Sequence, residues 1–352
     1  MGQAHRAEST DHFQNHLKDI RVTQGLSQGE LAGKSGITRQ AVSAIESHLY
    51  LPTTAVALRL AAVLGCRVED LFSLADAKHV IEGKLIGHFP QRDEKISTIR
   101  VKVARVGTRM VVRPVTELGG MLSYTVPADG YAVDVHGQIS GATVRVKLSR
   151  DRQAIEQEIS VAGCDPAIFL AGEHMKRHKD QTSVVGWTMG SMAALRALQE
   201  GEVHVAGLHL FDPATGESNL PFLRRALKSS NYEVVTFATW EEGLLVRAGN
   251  PKSIRAVSDI AVPDVTLVNR EEGAGARLLL DQRLRVARIK SSQVKGYGTV
   301  VAGHFEIARA IAGRQADVGI GIRSAAQLFG LDFIPLQTAR YDLVVPKAYL
   351  KS

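Results

Sequence analysis

The sequence is poor in cysteine and lacks any long apolar run. Among its 352 residues only Cys66 and Cys164 are cysteines, which are too few for a disulfide framework or a cysteine metal site, so we expect reduced thiols. No apolar stretch approaches the roughly 18 residues that span a bilayer. Residues 1–12 lack the apolar core of a secretory signal. These absences predict a cytoplasmic protein with a flexible tail over residues 1–12.

Motifs of catalysis and cofactor binding are missing as well. The sequence contains no nucleophile elbow, phosphate-binding P-loop, dinucleotide fingerprint or metal-ligand cluster. His174 and His178 lie one helical turn apart, a spacing that can bind metal, but their basic neighbours favour a solvated helix face. We therefore predict no catalytic residue, no metal and no cofactor. An enzyme acting on a small anionic substrate remains the alternative of another class.

What the chain does contain is enough apolar material for two or three domains. Hydrophobic residues make up 45% of the sequence and charged residues 22%, so each part can bury a core. The formal net charge of +7 permits nucleic-acid binding without demanding it.

Residues 13–73 have the pattern of five short helices. Ser27 and Glu30 form a capping box at the start of the second helix. Gly36 follows that helix where a tight turn is expected, and Thr38 caps the third helix. Two helices joined by a short turn that contains glycine describe a helix-turn-helix. The spacing therefore predicts a DNA-binding domain, with a small protein-interaction module as the alternative.

The second helix of such a pair enters the major groove by its N-terminal end. Arg39 and Gln40 occupy that end, and these residue types pair bidentately with guanine and adenine. Thr38 and Ser43 can donate hydrogen bonds to phosphate or base. Gln28, at the start of the preceding helix, is expected near the DNA backbone or the first base of a half-site. These five residues are the predicted DNA contacts.

The segment resembles the Cro and phage-repressor (XRE) family of helix-turn-helix domains over about sixty residues. This resemblance implies sequence-specific binding to operator DNA. One departure is the loop at residues 48–51, where the family usually has a short basic or glycine-bearing loop that touches phosphates. The matching residues are Leu26-Ser27-Gln28, Glu30-Leu31-Ala32, Gly36-Ile37-Thr38-Arg39, Val42-Ser43, Ile45-Glu46, Pro52, Leu60-Ala61, Leu64-Gly65 and Glu69-Asp70-Leu71-Phe72.

Residues 76–155 change to a strand pattern. Apolar residues alternate with period two from Ile99 to Val106 and again from Thr143 to Leu148. Frequent glycines and prolines between these runs predict short strands in a small β-barrel or sandwich. The segment also contains Gly119-Gly120-Met121-Leu122-Ser123, Ala128-Asp129-Gly130 and Val144-Arg145-Val146. In these residues it resembles, over about seventy residues, the C-terminal β-barrel of molybdopterin molybdenumtransferases, which implies a fold and a hint of ligand class. Five basic residues on this segment favour a solvated strand face, with contact to DNA phosphates as the alternative: Arg100, Lys102, Arg105, Arg109 and Arg113.

From residue 156 to residue 352 apolar strands alternate with helices. This alternation predicts an α/β domain with largely parallel sheets, arranged in two lobes. Ligands of such sheets bind beyond the carboxyl ends of the strands. Two glycine loops, Thr188–Ser191 and Asn269–Arg277, fit that rule, because glycine lets backbone N–H groups face an anion at a helix N-terminus; tight turns without a ligand are the alternative. The predicted ligand contacts are Thr188, Gly190, Ser191, Asn219, Arg270, Gly273, Gly275 and Arg277.

This last segment resembles cytoplasmic solute-binding-like domains related to periplasmic molybdate-binding proteins and to LysR effector domains. The resemblance implies a sensor for molybdate, tungstate or a molybdenum-cofactor-related anion. The second loop reads Gly-Ala-Gly-Ala-Arg at residues 273–277, where relatives commonly carry Gly-Ser-Gly-Thr-Arg. Two hydroxyl donors are missing, so a small organic anion such as a carboxylate or sulfonate is the alternative. Matching residues include Gly190-Ser191, Asn219-Leu220-Pro221, Gly249-Asn250-Pro251, Asn269-Arg270 and Tyr341-Asp342-Leu343.

These features predict a multidomain chain with an all-α helix-turn-helix, a small β-barrel and a two-lobed α/β domain like a periplasmic binding protein. The expected function is that of a one-component bacterial transcription regulator with no membrane contact. A homodimer or higher homo-oligomer would read half-sites about one helical turn, ~34 Å, apart. An effector would alter DNA binding only if it prefers one arrangement of the lobes.

Overall fold

A computed structural model describes residues 13–74, 80–87, 98–118, 125–133, 140–178, 183–227 and 231–350. The predicted tail at residues 1–12 and the run Gly119–Ser123 lie outside the described residues, as does the side chain of His178. The chain divides into two compact units with the boundary between Val80 and Ile81. None of the helices in the described ranges is both long enough and apolar enough to cross a lipid bilayer.

The first unit is the predicted bundle of five short helices. Its helices pack around a core of aliphatic side chains that includes Leu31, Val42, Ile45 and Leu60, each fully buried. The elements are β1 (Phe13–Asn15), α1 (Leu17–Thr23), α2 (Gln28–Ser35), α3 (Arg39–Glu46), α4 (Thr54–Leu64), α5 (Val68–Leu71) and β2 (Phe72–Leu74), with β1 and β2 paired antiparallel.

The second unit begins with a closed five-stranded barrel in the order β3-β5-β4-β6-β7. Inward side chains such as Val101, Val103 and Val146 fill it, and Ile155 of the short helix that follows closes one end. The predicted small barrel is confirmed. Its elements are β3 (Val80–Leu85), β4 (Thr98–Val106), β5 (Arg109–Pro114), the 3-10 helix Val115–Leu118, β6 (Gly130–Val133), β7 (Thr143–Leu148) and α6 (Arg152–Glu156).

The expectation that five basic residues of the barrel form a solvated face is wrong for two of them, whereas Arg100, Arg105 and Arg109 are exposed. Lys102 is buried and pairs with Asp129 at 2.6 Å. Arg113 is buried and pairs with Glu202 of the α/β region at 2.9 Å. The period-two pattern of the sequence cannot show that a basic side chain faces a buried carboxylate. The other three reach protein acceptors: Arg100 (Val126 O, 3.0 Å), Arg105 (Glu156, 3.0 Å) and Arg109 (Glu200 O, 2.9 Å).

The remainder of the second unit is built on a six-stranded sheet in the order β16-β13-β17-β10-β8-β9. Its elements are β8 (Ile159–Gly163), α7 (Ala167–His178), β9 (Val184–Thr188), α8 (Ser191–Gln199), β10 (Val205–Leu208), β11 (Phe211–Asp212), β12 (Glu217–Ser218), α9 (Leu220–Ala226), β13 (Tyr232–Val246), the 3-10 helix Val257–Ala261, β14 (Asn269–Arg270), α10 (Gly275–Val286), the 3-10 helix Ser291–Gln293, β15 (Val300–Val301), α11 (His304–Ala312), β16 (Val318–Ile322), α12 (Arg323–Leu328), β17 (Asp332–Pro346) and the 3-10 helix Lys347–Tyr349.

The sheet is mixed, which corrects the expectation of largely parallel sheets. Among the described strands of this sheet, β8 pairs in parallel with β9 and β10, whereas β10–β17, β13–β17 and β13–β16 are antiparallel. The cause is a pair of 15-residue strands, β13 and β17, that run through both lobes side by side. The sequence pattern divides β13 into two separate strands because Glu241 and Glu242 interrupt its apolar run.

The two long strands connect the lobes. In the first lobe Val234 and Val344 pack with the core around β8–β10 and α8. In the second lobe Leu244 and Val246 pack with the core around α10 and β16. Register shifts between residues 236 and 238 and between residues 242 and 243 bracket the crossing point. Such irregularities bend a strand locally, so the crossing point is where the two lobes can change their relative angle.

Candidate functional site

The helix-turn-helix forms as its sequence predicts. Ser27 caps α2 by accepting a hydrogen bond from Glu30 N at 3.2 Å, and Ser27 N donates to the Glu30 carboxylate at 2.7 Å. Gly36 has a left-handed backbone with φ of 65°, which glycine adopts without strain. Thr38 then caps α3 through Ala41 N at 3.1 Å. These caps fix the angle at which α3 follows α2.

All five predicted DNA contacts gather on one surface of the first unit. They line a single depression of about 400 Å³. Arg39 and Gln40 are exposed at the first turn of α3, where a recognition helix presents side chains to base edges. The lining residues are Gln28, Thr38, Arg39, Gln40 and Ser43.

Behind this depression lies a network that the sequence patterns did not reveal. Arg21 donates to both carboxylate oxygens of Glu46, at 2.6 and 3.1 Å. Gln28 donates to the same carboxylate at 2.8 Å, so its amide is held in one orientation. Burial opposes ionisation of Glu46, but the hydrogen bonds from Arg21 and Gln28 outweigh it and lower the pKa of this carboxyl. Glu46 therefore ties the fold of the helices to the placement of a predicted DNA contact.

In the second unit the two predicted glycine loops meet. Met192 N donates to Gly273 O at 3.2 Å. A Cβ on Gly190 would lie 2.9 Å from Ala274 Cα and 2.7 Å from a Glu271 oxygen, so only glycine permits this approach. The loops come from different lobes, so the contact lies where the lobes face each other.

Several predicted ligand side chains serve the fold instead of facing a cavity. Ser191 Oγ accepts a hydrogen bond from His209 N at 3.1 Å. Asn219 is buried, accepts from Leu210 N at 2.7 Å and donates to Asp342 at 2.8 Å. Gly275 packs directly against His209, where a side chain has no space. The Ser191 hydroxyl and the Asn219 amide are thus occupied within the protein.

The two predicted arginines differ in whether a guanidinium nitrogen can still donate a hydrogen bond to a ligand. Arg277 donates to Asp281 at 3.2 Å and to Arg270 O at 3.1 Å. Arg270 is 1% exposed and pairs through Nε and Nη2 with Glu271, at 2.8 and 2.9 Å. Its Nη1 is buried without a hydrogen-bond partner among the described residues. Such a donor is costly to leave unpaired, so Nη1 is the atom of this arginine that can receive a ligand acceptor.

A cavity of about 370 Å³ opens between the lobes. Thr188 lines it, but its hydroxyl donates to Leu118 O of the barrel at 3.0 Å. The barrel therefore supplies part of the cavity wall. Asp165 and Glu306 are its acidic residues, and burial raises the pKa of Asp165. The lining is otherwise mainly apolar, and the full set is Leu118, Cys164, Asp165, Pro166, Phe169, Leu170, Thr188, Gly303, His304, Phe305 and Glu306.

At the base of this cavity the structure joins three residues that the sequence keeps apart. Cys164, His209 and His304 offer ligand atoms that all lie within 4.8 Å of one another. Cys164 Sγ is 3.1 Å from His209 Nε2. The sequence predicts no such cluster, because these residues meet only where the ends of β8 and β10 and the start of α11 come together. No local spacing in the sequence carries that information.

The two histidines have opposite electrostatic surroundings. Burial disfavours the charged form of His209, but Cys164 and Glu242 together raise its pKa to about 10. For His304, burial and then the positive charges of Arg270 and His209 lower the pKa well below its usual value. His304 is therefore a neutral imidazole at physiological pH, with a lone pair available.

The similarity to known proteins agrees with this organisation. A helix-turn-helix family match covers residues 17–71, and a PBP superfamily domain is matched over residues 172–352, just over half of the chain. The chain belongs to the PBP superfamily. It combines this PBP-like domain with the domain of helix-turn-helix transcription regulators.

Individual relatives cover one domain each. The uncharacterized protein YvgK of Bacillus subtilis is 34% identical over 189 residues, which are 54% of this chain and 61% of that protein. The uncharacterized helix-turn-helix-type transcriptional regulator MJ0272 of Methanocaldococcus jannaschii is 38% identical over 64 residues, 18% of this chain and 97% of that protein. The bromide-bound regulatory domain of HypT from Salmonella typhimurium aligns with a TM-score of 0.39 and 12% identity, over 54% of this chain and 85% of that domain.

Proposed function

We propose that the protein is a cytoplasmic, ligand-responsive, one-component transcription regulator. The observation that carries the proposal is the presence, in one chain, of an exposed depression lined by five DNA-compatible side chains and of an interlobe cavity in a PBP-like domain. A homodimer would present two recognition helices to a pseudo-palindromic operator. The regulators among the relatives support this class over an enzyme.

A small anion is the proposed effector. Arg270 supports it, since its buried Nη1 has no hydrogen-bond partner among the described residues and its guanidinium interacts electrostatically with Cys164 and Glu306 of the cavity. Molybdate, tungstate or a molybdenum-cofactor-related anion follows from the family resemblance. Against a bare oxyanion, Glu271 already neutralises Arg270, and the hydroxyls of Thr188 and Ser191 are engaged within the protein.

A small organic anion is the second candidate, and the cavity wall favours it. Phe169, Leu170 and Phe305 give the cavity an apolar lining. An apolar body with one carboxylate or sulfonate would use both that wall and Arg270 Nη1. Binding pockets for small molecules commonly combine such a wall with a few placed polar groups.

Thermal unfolding of the full chain with a panel of oxyanions and organic acids tests the effector class. A ligand at 100 times its dissociation constant stabilises the protein by about 2.7 kcal/mol. The expected result is a rise in melting temperature with one anion that is lost in Arg270→Gln and kept in Arg67→Gln, an exposed arginine of the first unit. A panel without any response would contradict the anion proposal.

A further inference from the structure

The base of the interlobe cavity has the ligand chemistry of a metal site. Cys164, His209 and His304 supply one sulfur and two imidazoles, and all three are at most 4% exposed. In a tetrahedral zinc site, bond lengths of about 2.3 Å to sulfur and about 2.0–2.1 Å to nitrogen place ligand atoms roughly 3.3–3.6 Å apart. The observed separations, from 3.1 Å up to the 4.8 Å limit, bracket that range. Small side-chain rotations therefore suffice to close the site.

His304 shows that the cluster is incomplete without a ligand. Its side chain is buried, with 1% of the residue exposed, and neither ring nitrogen has a hydrogen-bond partner among the described residues. Burying a polar group without a partner destabilises the folded protein. A metal ion at the base of the cavity would give one of these nitrogens a partner.

The carboxylate of Glu242 lies beside one ring nitrogen of His209, as carboxylates often do beside metal-binding histidines. Glu242 Oε1 lies 3.1 Å from His209 Nδ1, on the side of the ring away from Cys164. Glu242 is fully buried and is itself held by Gln337 Nε2 at 2.8 Å. Glu242 Oε1 and His209 Nδ1 are at ion-pair distance without hydrogen-bond geometry. A carboxylate beside Nδ1 favours a proton on that nitrogen, so metal binding would displace the proton from Nε2, which faces Cys164.

A thiol–imidazole–carboxylate triad is the other reading of Cys164, His209 and Glu242. In such a triad the imidazole acts as base for the thiol, and a further histidine has no part. The structure places His304 within ligand distance of both Cys164 and His209. A metal site accounts for all three side chains, whereas a triad leaves His304 buried and unpaired.

We infer that Cys164, His209 and His304 together bind one thiophilic d10 cation, Zn²⁺ or Cu⁺, with an open coordination position toward the cavity. One thiolate and two imidazoles suit these ions and not Mg²⁺ or Ca²⁺. Cys164 and His209 belong to the first lobe, and His304 belongs to the second. Binding therefore joins the lobes and favours one of their arrangements. The assignment stands whether or not an anion also binds.

Cobalt(II) is the probe for the thiolate ligand. Reduced full-length protein is titrated with Co²⁺, and a near-ultraviolet thiolate-to-cobalt charge-transfer band is expected to saturate at one equivalent. Cys164→Ser should abolish the band, and Cys66→Ser, the matched control in the first unit, should retain it. Absence of the band in the parent protein, or its persistence in Cys164→Ser, would overturn the assignment.

A competition experiment identifies the cation, and circular dichroism excludes misfolding of the variants. Zn²⁺ and Cu⁺ are each added to the cobalt-loaded protein, and the physiological ion displaces cobalt at one equivalent. His304→Gln should weaken binding by at least tenfold, and Glu242→Gln by about 10–100-fold, with unchanged far-ultraviolet circular dichroism. Unchanged affinity in both folded variants would also overturn the site. Because these assays contain no DNA, their failure leaves the regulator proposal untouched.

Discussion

Glu46→Ala tests whether the Arg21–Glu46 pair holds the first unit together. The side chains of Arg21 and Glu46 are only 10% and 3% exposed. Removing one partner of a buried ion pair costs about 3–5 kcal/mol. A unit of some sixty residues has a total stability of about 3–9 kcal/mol. The substitution should therefore remove between a third and all of the unfolding free energy of this unit.

The two units can be followed separately in the full chain. Both tryptophans, Trp187 and Trp240, lie in the second unit, so tryptophan fluorescence reports on that unit alone, while circular dichroism reports on both. At about 1 kcal/mol per molar urea, Glu46→Ala should move an early circular dichroism transition by about 3 M or more. The fluorescence transition should not move. Exposed Glu69→Ala is the control, and an equal, small effect of both variants would refute the reasoning.

Three further predictions concern DNA contact, acidity and the interlobe loops. Arg39→Ala and Gln40→Ala should each weaken binding to a selected operator by about 5–150-fold, or 1–3 kcal/mol, in fluorescence anisotropy, while Arg67→Ala has no such effect. The pKa of Glu46 is lowered in the folded state. The contribution of ionised Glu46 to the stability of the first unit is therefore complete above pH 4.5 and is lost as the pH falls through the folded pKa. Urea midpoints that stay constant on acidification would contradict this. Gly190→Ala should separate the facing loops and lower the melting temperature. An unchanged melting temperature would show that the loops accommodate the added methyl group without loss of stability.

The first unit could be predicted almost completely from the sequence. Its caps and turns are local: Ser27 and Glu30 are three residues apart, and Gly36 follows its helix directly. The predicted DNA contacts share one surface because they lie on two consecutive helices. Their connection to Arg21 through Glu46 spans 25 residues, and no short-range pattern encodes it.

The sequence predicts the fold class of the second unit but not the arrangement of its candidate site. The alternation of strands and helices predicts the α/β architecture, and the glycine pattern predicts the two loops, which meet in the structure. The sequence cannot show the internal hydrogen bonds of the loop side chains, so Ser191 and Asn219 have the pattern of ligand donors although His209 N and Leu210 N already donate to them. No local pattern predicts the cluster of Cys164, His209 and His304, because the elements that carry these residues come together only in the folded chain.

The central claim is that a small ligand in the second unit controls DNA binding by the first. The direct measurement is the affinity of full-length protein for an operator selected from random DNA, with and without the ligand that raises its melting temperature. The account predicts sequence-specific binding that the ligand changes at least fivefold, with an equal change in ligand affinity when operator is present. An operator affinity that no stabilising ligand alters, or binding without sequence preference, would contradict it.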